Sequence, residues 1–262
     1  MSRQALVIGI GTGNPDHLTL EAVAALNRVD VFLVADKGTA KQDLIGLRTE
    51  ICRQVISHDR YRVIEVPDPE RGPDRGRNTV QYQDAVQRWH RERAARYADI
   101  IRAEVGGDGT VGFLVWGDPA LYDSTIRIVQ SIRDHGRLPL ELTVIPGISS
   151  LSLLAARHKI ILNRVGQPIH ITTGRRLVEE YHPGLGDVAV MLDGDLSCSR
   201  LVHDHPELGI FWGAQLGLAD EVLISGALAE MIEPIQRARA ELRAARGWVM
   251  DTYLLRPPAD NG

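Results

Sequence analysis

A chain of 262 residues, 44% hydrophobic and 24% charged, is long enough for one large or two ordinary domains and has the composition of a soluble globular protein. Its net charge of -4 excludes the basic stripe of a nucleic-acid footprint, and only two cysteines, Cys52 and Cys198, exclude a disulfide framework or a cysteine-rich zinc site. No signal peptide and no apolar run of membrane length is present, so a cytoplasmic location without a membrane partner is expected.

Residues 4–10 read as a strand that enters a glycine-rich loop, Gly9-Ile-Gly-Thr-Gly-Asn-Pro-Asp16. A helix is expected over 18–26, with Leu20, Val23, Ala24 and Leu26 mostly on its packed face and Thr19 as cap. A second buried strand, 29–35, ends at Asp36-Lys37-Gly38; a helix over 41–56 and a third strand over 61–66 follow. The stretch 67–77 is loop by its proline, glycine and charge, and is longer than a packed α/β domain requires. The next segment, 79–105, is an arginine-dense helix. Glu92, Asp99 and Glu104 are set among the positive charges, which marks a solvated face.

Phe113-Leu-Val-Trp116 is an apolar run too short for a helix, so it reads as a strand buried on both faces. It stops at Gly117-Asp118-Pro119, because Gly117 turns without a Cβ and Pro119 cannot continue a ladder. In an open α/β sheet, ligands bind just past the carboxyl ends of strands, and this turn offers backbone groups and one carboxylate there. Asp123-Ser124 caps a helix with Ile126, Val129 and Ile132 on its face, ending at Gly136. A strand over 140–145 is stopped by Pro146-Gly147, and an apolar helix runs over 148–158.

Up to this point strand and helix alternate, which predicts a parallel sheet with helices on both faces. After about residue 160 strands are expected at 169–172, 187–192, 208–212, 221–224 and 248–254, with a charged amphipathic helix over 230–246. The expected fold is therefore α/β in two domains, a parallel one over 1–147 and a mixed one over 148–262.

Several familiar sites fail on detail. Gly9-x-Gly11-x-x-Asn14 starts like a dinucleotide fingerprint, but Asn14 and Pro15 stop a helix from opening at the loop with free amides. No Lys-Ser or Lys-Thr follows, so it is not a Walker loop. His203 and His205 have chelate spacing, yet Pro206 points to a surface turn. Ser149-Ser150 lacks the elbow a nucleophilic serine needs.

Taken together, GIGTGNPDHLTLEA (9–22), WGDPALYD (116–123) and IPGISSLSLLAA (145–156) resemble, in order and spacing, the tetrapyrrole methyltransferase superfamily. The likeness continues through DVAVMLDGD (187–195) and EVLISGAL (221–228), nearly the whole chain. Thr12 and Asp123 depart from the superfamily pattern, which has a proline and a glycine there. The resemblance implies a bilobed α/β fold with S-adenosylmethionine held in the cleft between domains. It places cofactor contacts at Gly11, Thr12, Trp116, Gly117, Asp118, Leu121, Ser149 and Ser150, with Leu192 and Leu216 from the second domain. No metal is implied.

Within the superfamily the chain looks most like its carbon-1 methyltransferases of aerobic cobalamin biosynthesis. That likeness implies a small tetrapyrrole substrate, precorrin-5, methylated at carbon 1 with release of acetate, and a homodimer. Methyl transfer from a sulfonium needs orientation more than a strong acid or base. Acetate release adds water to an acyl group and uses a base; Asp16, Tyr122 and Asp123 are the candidates, with His17 and Asp36 on neighbouring loops. The substrate's carboxylates call for cations, with Arg175, Arg176 and Lys37 as candidates and Arg71, Arg75 and Arg77 as a lid. The alternatives are a methyltransferase of this fold acting at another carbon or on a non-tetrapyrrole substrate, a nicotinamide-dependent oxidoreductase, and a non-catalytic tetrapyrrole carrier.

Overall fold

Among the residues described by this computed structural model (2–36, 42–69, 72, 79–135 and 138–258), the strands form two five-stranded sheets. Each sheet belongs to one of two compact units, Met1–Ile148 and Ser149–Gly262. Lys37, Arg71, Arg75, Arg77 and Gly136 lie outside the described residues.

In the first unit the strands are β1 (Arg3–Gly9), β2 (Val31–Asp36), β3 (Arg62–Pro67), β4 (Thr110–Val115) and β5 (Leu140–Ile145). They pair in the order β3-β2-β4-β1-β5, every pair parallel. The helices are α1 (Leu20–Leu26), α2 (Gln42–Val55), α3 (Thr79–Glu104) and α4 (Thr125–His135). Ala5, Val7, Val111, Phe113 and Val115 pack with Tyr97 and Ile101 of α3 and with Ile128 and Ile132 of α4. Leu6, Ile8, Ile10 and Leu114 pack with Leu26 of α1 and with Ile51 of α2. Both faces of β1 and β4 are thus covered, which is why β4 is buried at every position and reads as an unbroken apolar run. Each large side chain so buried contributes about 1.5–3 kcal/mol.

The order of strands also fixes where a ligand belongs. From β1 the chain passes β4 to reach β2, whereas from β4 it passes β1 to reach β5. Adjacent strands whose connections leave in opposite directions make a switch point, and it lies at the carboxyl ends of β1 and β4.

Two local expectations need correction. Helix α1 starts at Leu20 behind a 3-10 turn, Pro15–His17, and the Thr19 hydroxyl accepts from Ala22 N at 3.0 Å. Its buried residues are Ala22, Ala25 and Leu26; Leu20 is exposed, because two residues along a helix is about 200° of rotation. On α3, Arg93 is only 7% exposed rather than solvated. Its Nε donates to Asp68 Oδ1 at 2.9 Å, and its guanidinium lies 4.1 Å from the centre of the Trp89 ring. A buried arginine needs such a partner, and Asp68 reaches it from the end of β3.

The second unit holds β6 (Ile169–Thr173), β7 (Asp187–Met191), β8 (Gly209–Ala214), β9 (Val222–Ala227) and β10 (Asp251–Arg256), in the order β6-β7-β10-β8-β9. Only β6 and β7 are parallel, so the sheet is mixed. Its helices are α5 (Ser150–His158), α6 (Gly174–Glu180) and α7 (Leu228–Arg246). Val188, Val190, Ile210, Trp212, Tyr253 and Leu255 face α6 and α7, packing with Leu177, Leu228 and Ile235. On β8 the intervening Gly213 lies against Leu154 of α5. Among the described residues no helix is long and apolar enough to cross a membrane.

Two glycines give opposite expectations. A Cβ at Gly112 of β4 would sit 2.8 Å from both Val29 methyls, so Gly112→Ala should cost about 1–3 kcal/mol in urea unfolding. Gly46, in the exposed middle of α2, has nothing within 4 Å, so Gly46→Ala should stabilise by up to about 1 kcal/mol.

Candidate functional site

At the switch point the backbone closes on itself. Gly11 and Gly117 form an isolated bridge, with Gly117 N donating to Gly11 O at 2.6 Å and Gly11 N to Gly117 O at 3.3 Å. Both have positive φ, 67° and 64°, the left-handed region that favours glycine. The loop after β5 joins them: a Cβ on Gly147 would lie 2.2 Å from Gly117 O and 2.9 Å from Gly9 Cα. Three loops therefore meet at a distance only glycine permits.

Asp118 ties the same loops together. Its Oδ2 accepts from Gly147 N at 3.0 Å and its Oδ1 from Ala120 N at 2.8 Å. Leu121 N closes the turn onto Asp118 O at 3.1 Å. Gly11, Thr12, Trp116, Gly117, Asp118 and Leu121 thus share one rim of the first sheet. Thr12 is buried, its hydroxyl 3.3 Å from His17 Nδ1. Trp116 Nε1 is buried and has no hydrogen-bond partner among the described residues, while Arg48 of α2 places its guanidinium 5.2 Å from the centre of that ring. An unsatisfied buried donor on the rim, beside a closed backbone cradle, fits a bound ligand with acceptor groups better than an empty surface.

The three acid–base candidates differ. Asp16 is exposed in the 3-10 turn, where its amide donates to Asn14 Oδ1 at 2.9 Å. Asp123 accepts from Thr125 N at 2.6 Å through Oδ1, a helix-start contact that leaves Oδ2 for other work. Tyr122 has φ 53° and is 46% exposed. An aromatic residue held in the left-handed region is strained by about 1–3 kcal/mol, and such strain clusters at working sites. Neither cysteine is a nucleophile, since burial pushes both thiols up to about 12.

In the second unit the Ser149 hydroxyl caps α5, accepting from Ser152 N at 3.1 Å, and Ser150 opens that helix. Leu192 follows β7 with φ 54° and is 66% exposed, whereas Leu216 follows β8 and is buried against Gly213. Strands β7 and β8 run the same way on either side of β10, so Leu192 and Leu216 leave one edge of that sheet. Of the cationic candidates here, Arg176 Nε donates to Glu180 Oε1 at 2.6 Å. Among the described residues no cluster able to hold a metal exists, His203 and His205 included.

Sequence reasoning missed the residues that set Leu192. Asp193 is buried and accepts from Ser197 N at 2.6 Å, Ser197 Oγ at 2.9 Å and Tyr253 OH at 2.5 Å. Gly174 admits it, since a Cβ there would lie 2.2 Å from Asp193 Cγ. Burial raises the Tyr253 phenol well above its ordinary range, so it stays a donor. The only signal in the sequence was Leu-Asp-Gly-Asp at 192–195, and its partners lie far along the chain.

Comparison with known proteins is consistent along the chain. Residues 6–232 match the family described as Tetrapyrrole (Corrin/Porphyrin) Methylases. Over 258 residues the chain is 45% identical to a precorrin-6A synthase [deacetylating] of Sinorhizobium sp, covering 98% of this chain and 97% of that protein. It is 38% identical to the crystal structure of a cobalamin synthesis related protein (CobF) from Corynebacterium diphtheriae. The TM-score is 0.82, with 98% of this chain and 99% of that one covered. A uroporphyrin-III C-methyltransferase from Thermus thermophilus, solved with S-adenosyl homocysteine, shares the fold at 17% identity and TM-score 0.55, covering 97% and 92%.

The clamp at Asp118 gives a direct expectation. Asp118→Ala leaves two amides without their acceptor and should cost about 1–3 kcal/mol in urea unfolding. Asp16→Ala, at an exposed turn, should stay within about 0.5 kcal/mol of wild type.

Proposed function

The chain belongs to the tetrapyrrole (corrin/porphyrin) methylases, and from that premise we propose that it is a precorrin-6A synthase (deacetylating). The proposed reaction moves a methyl group from S-adenosylmethionine to carbon 1 of precorrin-5 and releases acetate, giving precorrin-6A. The observation that carries this reading is the 45% identity over 98% of the chain, which leaves neither unit outside the likeness.

The chain's own residues fit the demands of such a reaction. S-adenosylmethionine supplies an electrophilic methyl, so the protein's task is orientation, and proximity of this kind is worth roughly 7–11 kcal/mol. The Gly11–Gly117 bridge and the Asp118 clamp hold the rim rigid before any ligand arrives. Trp116 and Leu121 offer apolar surface there, as a small-molecule site needs. On the motifs alone, Ser149, Ser150, Leu192 and Leu216 are proposed as cofactor residues of the second unit. Acetate release needs a base to take a proton from water. Asp123, with Oδ2 unengaged by the helix start, and Tyr122 beside it are proposed for that step ahead of the exposed Asp16. The reading carries with it a cytoplasmic homodimer, which light scattering of the purified protein tests.

Incubation with S-adenosylmethionine and a panel of precorrins, followed by mass spectrometry, tests the reaction. Precorrin-5 should gain one methyl and lose one acetyl, with acetate and S-adenosylhomocysteine formed in equal amounts. Methylation of a different precorrin without acetate would favour action at another ring carbon. Stabilisation by NAD but not by S-adenosylhomocysteine in a thermal melt would remove the methyltransferase reading altogether.

A further inference from the structure

Among the described residues of the first unit, Arg48 is a cation with a buried donor and no ion pair. Arg93 has Asp68, and Arg62 has Glu104 at 2.7 Å. The Arg48 Nε is buried, yet among the described residues it has no hydrogen-bond partner, and no carboxylate lies within ion-pair distance of the guanidinium. Desolvation lowers its pKa to about 10, with Asp123 and Tyr97 opposing the shift and Arg93 adding to it, so it remains charged at neutral pH. The centre of the Trp116 ring lies 5.2 Å from the guanidinium carbon, a cation–π contact. The ring supplies attraction but no acceptor, so the Nε donor stays unsatisfied.

Trp116 repeats the pattern. Its Nε1 is a second buried donor without a partner among the described residues, on the side chain that Arg48 covers. Trp116 immediately precedes Gly117-Asp118, so both donors adjoin the rim at the switch point. A guanidinium and an indole N–H are donors only. A cation or a neutral apolar group would leave both unsatisfied, whereas a carboxylate accepts from both and cancels the charge.

We propose that Arg48 and Trp116 form an anion subsite that takes one carboxylate of the tetrapyrrole substrate and so sets how the ring system lies at the rim. The proposal rests on the methyltransferase reading for the identity of the substrate, and on the two unpartnered donors for the site.

The test uses full-length Arg48→Met, Arg48→Lys and Trp116→Phe with three readouts: KM for precorrin-5, affinity for S-adenosylhomocysteine, and melting temperature. Arg48→Met should raise KM about 10- to 100-fold, the range of a charge-assisted hydrogen bond to a carboxylate, while cofactor affinity is unchanged. Its melting temperature should stay close to that of wild type, because Arg48 makes no ion pair among the described residues and its Nε has no acceptor to lose. Arg48→Lys, which keeps the charge but not the planar fork, should fall between the two. Trp116→Phe keeps the apolar ring face proposed for the cofactor and loses only the N–H, so it should raise KM a few-fold and leave S-adenosylhomocysteine affinity within about twofold of wild type. Unchanged KM in Arg48→Met overturns the subsite. Equal loss of S-adenosylhomocysteine affinity assigns Arg48 to the cofactor and overturns it too, as does a melting temperature well below wild type with both affinities weakened. Titration with uroporphyrin, a stable polycarboxylate porphyrin, separates the two layers. If wild type binds it about tenfold more tightly than Arg48→Met but does not convert precorrin-5, the subsite stands and the reaction reading falls. If both bind it equally, the subsite falls whatever the reaction.

Discussion

One carboxylate holds the working edge of the first unit together. Asp118 accepts from Ala120 within its own turn and from Gly147 on the loop after β5, 29 residues away. The sheet brings β1 and β5 side by side, so the loops beyond them must meet; only glycine at positions 9 and 147 lets their backbones come as close as they do. Asp118 converts that closeness into a fixed geometry, because each of its oxygens satisfies an amide that would otherwise be left without an acceptor. The exposed backbone strain at Tyr122 is held in place by this frame: the turn is closed before it by Asp118 and after it by Asp123 at the start of α4. Rigidity at such a rim suits methyl transfer, where alignment supplies much of the rate.

The second unit solves a similar problem with a buried charge. Asp193 gathers a backbone amide and two hydroxyls, and Arg239 donates to its backbone carbonyl at 2.9 Å. The result is that Leu192, one residue earlier, stands exposed in a left-handed conformation. Burial raises Asp251 above the ordinary carboxylate range, and Arg239 at 3.3 Å together with the Trp212 indole keeps it paired. A buried network of this kind specifies one arrangement of the sheet edge, since alternatives that leave more of its groups unpaired are costly.

Much of this was legible in the sequence. The apolar run ending at Gly117-Asp118-Pro119 marked a doubly buried strand and its stop, and alternation of strand and helix marked the parallel sheet. The three strand-end motifs pointed to the family that residues 6–232 match. What stayed hidden depends on distance along the chain or on small rotations. The face of α1 was misjudged because Leu20 is more apolar than Ala22 and Ala25, yet the smaller residues are the ones that turn inward. Arg93 read as solvated because its partner, Asp68, lies 25 residues away on another element. The same limit hid the reach of Asp118 to Gly147, and Arg48 gave no signal at all, since an arginine in a charged helix looks like any other.

The central claim is that the glycine-bridged rim of the first unit is a preformed site for the methyl donor. Titration calorimetry of S-adenosylhomocysteine against wild type and Gly117→Val tests it most directly, with circular dichroism to establish that the variant is folded. The account expects one-to-one binding to wild type and none to a folded Gly117→Val, because a branched side chain at φ 64° cannot keep the bridge to Gly11. Wild-type affinity in the folded variant would contradict it, and would return Gly117-Asp118-Pro119 to the status of an ordinary strand-ending turn.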